Sequence, residues 1–259
     1  MEKSNRNKLN SFEHFFIVGA QRSGTTYLYK ILDEHPEIQM AKPLKPEPKF
    51  FLKDELYKKG LDYYEKHFFT DSINNVLRGE KTTSYIESKK AAKRISNNFP
   101  DTKIIFILRN PVYRAISNYW FSFNNGLENL SIEEAFRSEP SRYNNYPKDK
   151  ISVSPFAYLR RGLYINFIKI YEKYFTREQM KILIFENFLG SEKSVKNLFS
   201  FLRIKKDFTP SKLNSIINES NYRKTKLSDE FQSYIYDYFR ESNKRLAVEY
   251  DIDLSVWEK

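Results

Sequence analysis

The sequence predicts an α/β fold: three layers, with a central, mostly parallel sheet flanked by helices. Three observations carry this. Phe15-Phe16-Ile17-Val18 is an apolar run of aromatic and β-branched residues suited to a buried strand. After a polar loop bracketed by Gly19 and Gly24, the apolar residues Leu28, Ile31 and Leu32 fall on one face of a helix. Lys103-Ile104-Ile105-Phe106-Ile107-Leu108 and Lys181-Ile182-Leu183-Ile184-Phe185 are continuous apolar runs, the pattern of parallel strands covered on both faces.

The elements follow in order. Residues 1–12 read as a flexible tail. The first strand and its helix run from Phe15 to His35, and Pro36 ends the helix. Met40 to Phe51 carries Pro43, Pro46 and Pro48 and reads as a stiff extended connection. A short aromatic helix follows over Leu61–Phe69, then a polar stretch from Arg78 to Tyr85, then a basic helix over 87–98. Pro111 starts a helix after the second apolar run. Residues 124–153 show little periodicity and read as a short helix near 131–138 followed by a mobile loop long enough for a lid. Leu163, Phe167, Ile170, Tyr171 and Tyr174 mark an amphipathic helix, and Val195, Leu198, Phe199 and Leu202 another. The last helix spans Ser228 to Tyr250, with Phe231, Ile235, Tyr238 and Phe239 expected inward. No Pro/Gly/Ser-rich linker divides the chain, so 13–259 reads as one domain.

Strand, glycine-bounded loop and helix together make a phosphate cradle, so the fold reads as P-loop-like. Glycine lets the backbone approach an anion, and the helix N-terminus adds partial positive charge. Gly19-x4-Gly24 has the spacing of a triphosphate loop, but Thr25 and Thr26 follow where such a loop places Lys, and the cation stands earlier, at Arg22. Hydroxyls and N–H groups from Ser23, Gly24, Thr25 and Thr26 suit a single phosphate better than a magnesium triphosphate. Arg109 stands at the C-terminal end of the second strand, where ligands bind in open α/β sheets, and Ser117 falls two turns into the next helix on the same side. Each candidate has a plainer reading. Arg109 is an anion ligand or a surface residue capping the helix. Glu47, held between Pro46 and Pro48, is an aimed carboxylate or an exposed loop acid. Lys81 is a site cation or a surface lysine.

Composition narrows the classes. The net charge of +11 calls for an anionic partner. There is no cysteine, which excludes disulfides, thiolate zinc sites and a cysteine nucleophile. The three histidines are scattered, against a multi-histidine metal site. No apolar run is long enough for a membrane span, and Met1–Asn10 lacks a signal-peptide core, so the expected location is cytoplasmic. The basic residues are dispersed rather than gathered in an aromatic-basic motif, so no nucleic-acid partner is expected.

Four segments resemble the sulfotransferases that use 3′-phosphoadenosine 5′-phosphosulfate, in order along most of the chain. Gln21-Arg22-Ser23-Gly24-Thr25-Thr26 is similar to the family's 5′-phosphosulfate loop, with Arg22 in place of the usual Lys. Leu108-Arg109-Asn110-Pro111 with Ser117 is similar to the 3′-phosphate site. Glu47-Pro48-Lys49-Phe50-Phe51 and Glu80-Lys81-Thr82-Thr83-Ser84-Tyr85 resemble the glycan branch, which includes heparan sulfate sulfotransferases. That branch often has a C-terminal cysteine hairpin, absent here.

The resemblance implies sulfuryl transfer from that nucleotide co-substrate to a hydroxyl, or an amine, of a glycan or small alcohol, with no metal. Glu47 would be the catalytic base. Arg22 and Lys81 would stabilise the leaving 5′-phosphate, and Ser23 to Thr26 would hold it. Arg109 and Ser117 would hold the 3′-phosphate, and Arg223, in the basic turn Asn221–Lys224, would lie near the nucleotide. Three other readings stay open: a nucleotide kinase with a degenerate loop, a nucleic-acid-binding protein, and a non-catalytic glycan-binding relative.

Overall fold

A computed structural model describes residues 13–69, 76–147, 153–215 and 226–258. The tail expected over 1–12 and the candidate Arg223 lie outside the described residues. The strands are β1 (His14–Gly19), β2 (Ile38–Met40), β3 (Leu77–Lys81), β4 (Lys103–Leu108) and β5 (Met180–Ile184). The helices are α1 (Thr25–Asp33), α2 (Asp54–Tyr57), α3 (Gly60–Phe68), α4 (Lys89–Asn98), α5 (Pro111–Asn124), α6 (Ile132–Arg137), α7 (Glu139–Arg142), α8 (Tyr164–Tyr171), α9 (Phe185–Phe188), α10 (Glu192–Leu202) and α11 (Asp229–Tyr250).

Among the described residues the sheet runs β2-β3-β1-β4-β5, and every neighbouring pair is parallel. The chain leaves β1 toward β2 and β3 on one side, then returns to β4 and β5 on the other. That reversal opens a crevice at the C-terminal ends of β1 and its neighbours, where ligands bind in such sheets. Alternation along β1 divides the core. Phe16 and Val18 join one apolar layer with α3, α4 and α8, while Phe15 and Ile17 join another with α1 and α10. A third cluster links α5, α6 and α11 beside the crevice. None of the described helices is long and apolar enough to cross a membrane.

The sheet has two strands more than the apolar runs indicate. β2 ends at the first residue of the expected connection, Met40, and β3 falls mostly in the expected polar stretch. β3, Leu77-Arg78-Gly79-Glu80-Lys81, lies between β2 and β1 with its last four residues buried. Gly79 is required there, since a Cβ would meet the Phe15 ring at 2.3 Å and the Met40 sulfur at 2.5 Å. The charges of β3 are tolerated because partners from other segments meet them: Arg78 pairs with Glu65, and Lys81 with Glu47.

α6 (Ile132–Arg137) falls where a short helix is expected near 131–138, while α7 (Glu139–Arg142) occupies the start of the expected loop. The buried Glu128 carboxylate accepts N–H bonds from Asn129 and Leu130, a two-pronged pair from Arg142 on α7 and the Tyr158 hydroxyl. These five bonds tie the segment down. The inward face of α8 is Tyr164, Ile165, Ile168 and Tyr171, one residue round from the expected face, and Tyr238 of α11 is 39% exposed rather than inward.

Candidate active site

The loop after β1 turns through two left-handed residues, Arg22 at φ 65° and Gly24 at φ 83°. Gly24 is needed twice over: an L side chain resists that φ, and a Cβ would sit 2.2 Å from the Phe185 ring. The loop thus lies flat on Phe185 at the end of β5 and delivers Thr25 into the start of α1. α5 begins as its residues dictate. The Asn110 side chain accepts the N–H groups of Val112 and Tyr113, and Pro111 occupies the first turn. Arg109 is fixed by its own backbone, whose carbonyl accepts the Tyr164 hydroxyl at 2.7 Å.

A cavity of about 710 Å³ opens at these strand ends, and Arg22, Gly24, Thr25, Thr26, Glu47, Lys81, Arg109 and Ser117 all line it. Ser23 is the exception among the described candidates. Its side chain is fully buried and not part of the lining, which leaves only its backbone N–H for a ligand in the cradle.

The lining separates into two groups. In the first, Arg22 Nε donates to Ser117 Oγ at 3.0 Å, and Arg109 Nη1 approaches the Arg22 carbonyl at 3.4 Å. Phe121 lies under the Arg22 guanidinium and Phe185 under that of Arg109. Burial, and then the positive charge of Arg109, pull the Arg22 pKa below its ordinary value. Two guanidiniums held this close repel, and an anion between them relieves the repulsion. The bond to Ser117 holds Arg22 at the Arg109–Ser117 end of the cavity against that repulsion.

In the second group, Lys81 Nζ donates to Glu47 Oε1 at 2.7 Å. The Thr83 N–H donates to Glu47 Oε2 at 3.0 Å, and the Thr83 hydroxyl lies within 3.1 Å of both carboxylate oxygens. Lys81 is 4% exposed, so the surface reading of this lysine fails, as does that of Glu47 as a loose loop acid. Lys45 and Lys49 line the same cavity on either side of Glu47. Burial first, and then the charge of Lys53, lower the Lys49 pKa, against the opposing pull of Glu47.

Lys45, Lys49 and Thr83 are among the lining residues that sequence reasoning passes over. Their signal was their spacing around Glu47 and Lys81, two residues either way.

A glycine-turned loop, a helix N-terminus and two converging arginines define an anion-binding α/β site, with a carboxylate–lysine pair across the cavity. A family model described as the sulfotransferase domain matches residues 12–245, and the chain belongs to that family. It is 34% identical over 166 residues to human heparan sulfate glucosamine 3-O-sulfotransferase 6, covering 63% of this chain and 44% of that protein. It is 38% identical over 117 residues to the membrane-associated sulfotransferase kil1 of Dictyostelium discoideum, covering 44% of this chain and 24% of that protein. The chain thus spans less than half the length of these curated relatives. Among solved structures it is similar to a sulfotransferase from Alicyclobacillus acidocaldarius, with a TM-score of 0.78 and 28% identity, over 96% of this chain and 100% of that one.

Proposed function

We propose that this protein transfers a sulfuryl group from 3′-phosphoadenosine 5′-phosphosulfate to a hydroxyl of a carbohydrate acceptor, with Glu47 as general base. The observation that carries the reading is the shared cavity. Arg22, Arg109 and Ser117 line it together with Thr25 and Thr26 of the cradle, and the Glu47–Lys81 pair lines the same space. Family membership supports the reaction class, and the names of the heparan sulfate relatives support a sugar acceptor.

Each residue has a role in this scheme. The N–H groups of the loop, with Thr25 and Thr26, hold the 5′-phosphate at the start of α1. Arg109 and Ser117 hold the 3′-phosphate and select the nucleotide that has one. Glu47 takes the proton of the acceptor hydroxyl as its oxygen forms a bond to sulfur. The bond from sulfur to the 5′-phosphate oxygen breaks, and Lys81 and Arg22 stabilise the charge left on that oxygen. Arg22 is a fixed cation that offers charge rather than a proton. The products are a sulfate ester and 3′-phosphoadenosine 5′-phosphate. An amine acceptor would lose its proton to Glu47 in the same way.

The test is transfer of labelled sulfate from the donor to heparan sulfate, other polysaccharides and small alcohols, with and without magnesium. Labelled polysaccharide formed without magnesium is the expected result. Magnesium-dependent turnover of ATP instead, or glycan binding with no transfer, would overturn the proposal.

A further inference from the structure

A second carboxylate lies behind the Glu47 segment, and the proposed reaction does not use it. Glu80 precedes Lys81 on β3, so the two side chains leave opposite faces of the strand. Lys81 reaches the cavity, while Glu80 is fully buried. Thr82 Oγ1 donates to Glu80 Oε1 at 2.6 Å, and the Tyr64 hydroxyl donates to Oε2 at 2.9 Å. The charge of the same carboxylate acts on the buried Tyr85 hydroxyl.

A hydroxyl carries one proton. Thr82 commits its proton to Glu80, which leaves its lone pairs to accept. They accept from the backbone of the Glu47 segment: the Lys49 N–H donates to Thr82 Oγ1 at 3.2 Å. The carboxylate therefore sets the direction of a short relay through Thr82 that ends two residues beyond Glu47.

We propose that Glu80 is a positioning residue: through Thr82 it holds the chain just beyond Glu47 so that Glu47 meets Lys81 at the cavity wall. The consequence for turnover rests on the reaction proposed above; the hold on the segment does not.

The hold depends on ionisation. As a carboxylate, Glu80 only accepts. Once protonated, it must donate to one of its partners, and a hydroxyl has to turn. Burial pushes the Glu80 pKa up to about 7; the neighbouring hydroxyls oppose this, and the charge of Glu47 adds to it. The groups facing Glu80 are Tyr64 from α3, Tyr85 from the 3₁₀ turn Thr83–Glu87, Tyr171 from α8 and Glu47 from its loop. Burial raises all three phenols, so they stay neutral near pH 7.

The experiment is residue-resolved amide hydrogen exchange on the full chain and on Glu80→Gln, Thr82→Val and Thr82→Ser, corrected for intrinsic exchange, between about pH 8 and pH 6. Thr82→Val and Glu80→Gln are expected to speed exchange at Lys49 by about tenfold or more and to leave Ile105 and Ile107 of β4 unchanged. Thr82→Ser is expected to keep the protection. The parent chain should lose protection at Lys49 as pH falls, and Glu80→Gln should show no such dependence.

Unchanged Lys49 exchange in Thr82→Val would overturn the proposal. So would equal acceleration at Lys49 and Ile105, which signals general loosening, or a flat pH profile in the parent chain. If Glu80→Gln does not fold, the Val and Ser pair decides. Calorimetry with 3′-phosphoadenosine 5′-phosphate separates the two claims: no binding by the parent chain sinks the proposed reaction, while the exchange result still decides the role of Glu80.

Discussion

Arg22 Nε meets Ser117 Oγ at 3.0 Å, which joins the loop after β1 to the second turn of α5. The contact spans 95 positions of sequence and brings Arg22 alongside Arg109. The two ends of the proposed nucleotide site are thus linked by a side-chain hydrogen bond as well as by the sheet.

If Arg109 reads the 3′-phosphate, Arg109→Ala should abolish discrimination between 3′-phosphoadenosine 5′-phosphate and AMP. A charge-assisted hydrogen bond is worth about 1.5–3 kcal/mol, or roughly 10- to 100-fold in affinity. Calorimetry on both nucleotides checks this, and an unchanged affinity ratio removes Arg109 from that role.

Glu47→Gln keeps the shape of the side chain and removes the base. Turnover should fall by about 10²–10⁴ while affinity for the nucleotide is retained. Steady-state kinetics paired with calorimetry tells loss of chemistry from loss of binding. Parallel losses in both would argue that Glu47 only holds the loop.

Gly24→Ala should damage the cradle through two separate faults, the left-handed backbone and the overlap with Phe185. Strain of this kind costs about 1–3 kcal/mol. Adding Phe185→Ala relieves only the overlap, so stability measured by denaturant should recover in part. Full recovery would show that the backbone conformation at Gly24 carries no cost.

At the opposite end of the sheet, His14 and Arg78 both bond to Glu65. Burial alone would raise the Glu65 pKa, but the bonds from His14 and Arg78 outweigh it and hold the carboxyl below its ordinary value. A depressed carboxyl contributes stability above its unfolded pKa and loses it as pH falls toward the lower folded value. Glu65→Gln should therefore cost about 3 kcal/mol at neutral pH, because Arg78 stays buried. The gap between variant and parent should close in acid. Denaturant melts across pH check it, and a gap that persists at low pH would show that the loss is not one of charge.

β1, β4 and β5 are legible in the sequence because strands covered on both faces must be apolar throughout. β3 is not, because its burial is made possible by residues far along the chain. Arg78 needs Glu65, Glu80 needs Tyr64, and Lys81 needs Glu47. No local pattern announces those partners. The same reason hides the order on either side of the helix expected near 131–138, where one carboxylate, Glu128, gathers donors from three directions. The site candidates were legible as residue types at fixed spacings. Their grouping was not: Arg22 lies with Ser117 and Arg109, while Lys81 stands with Glu47. Glu80 shows no sign in the sequence of its hold on the Glu47 segment, since that hold runs through a hydroxyl proton.

On the proposed reaction, both guanidiniums, the threonines and the flat loop hold phosphate groups that sulfuryl transfer leaves untouched. The spent nucleotide thus keeps nearly every handle that seated the fresh one. Its departure, rather than the making of the ester, would then set the pace, and accumulating 3′-phosphoadenosine 5′-phosphate would act as a brake on its own formation.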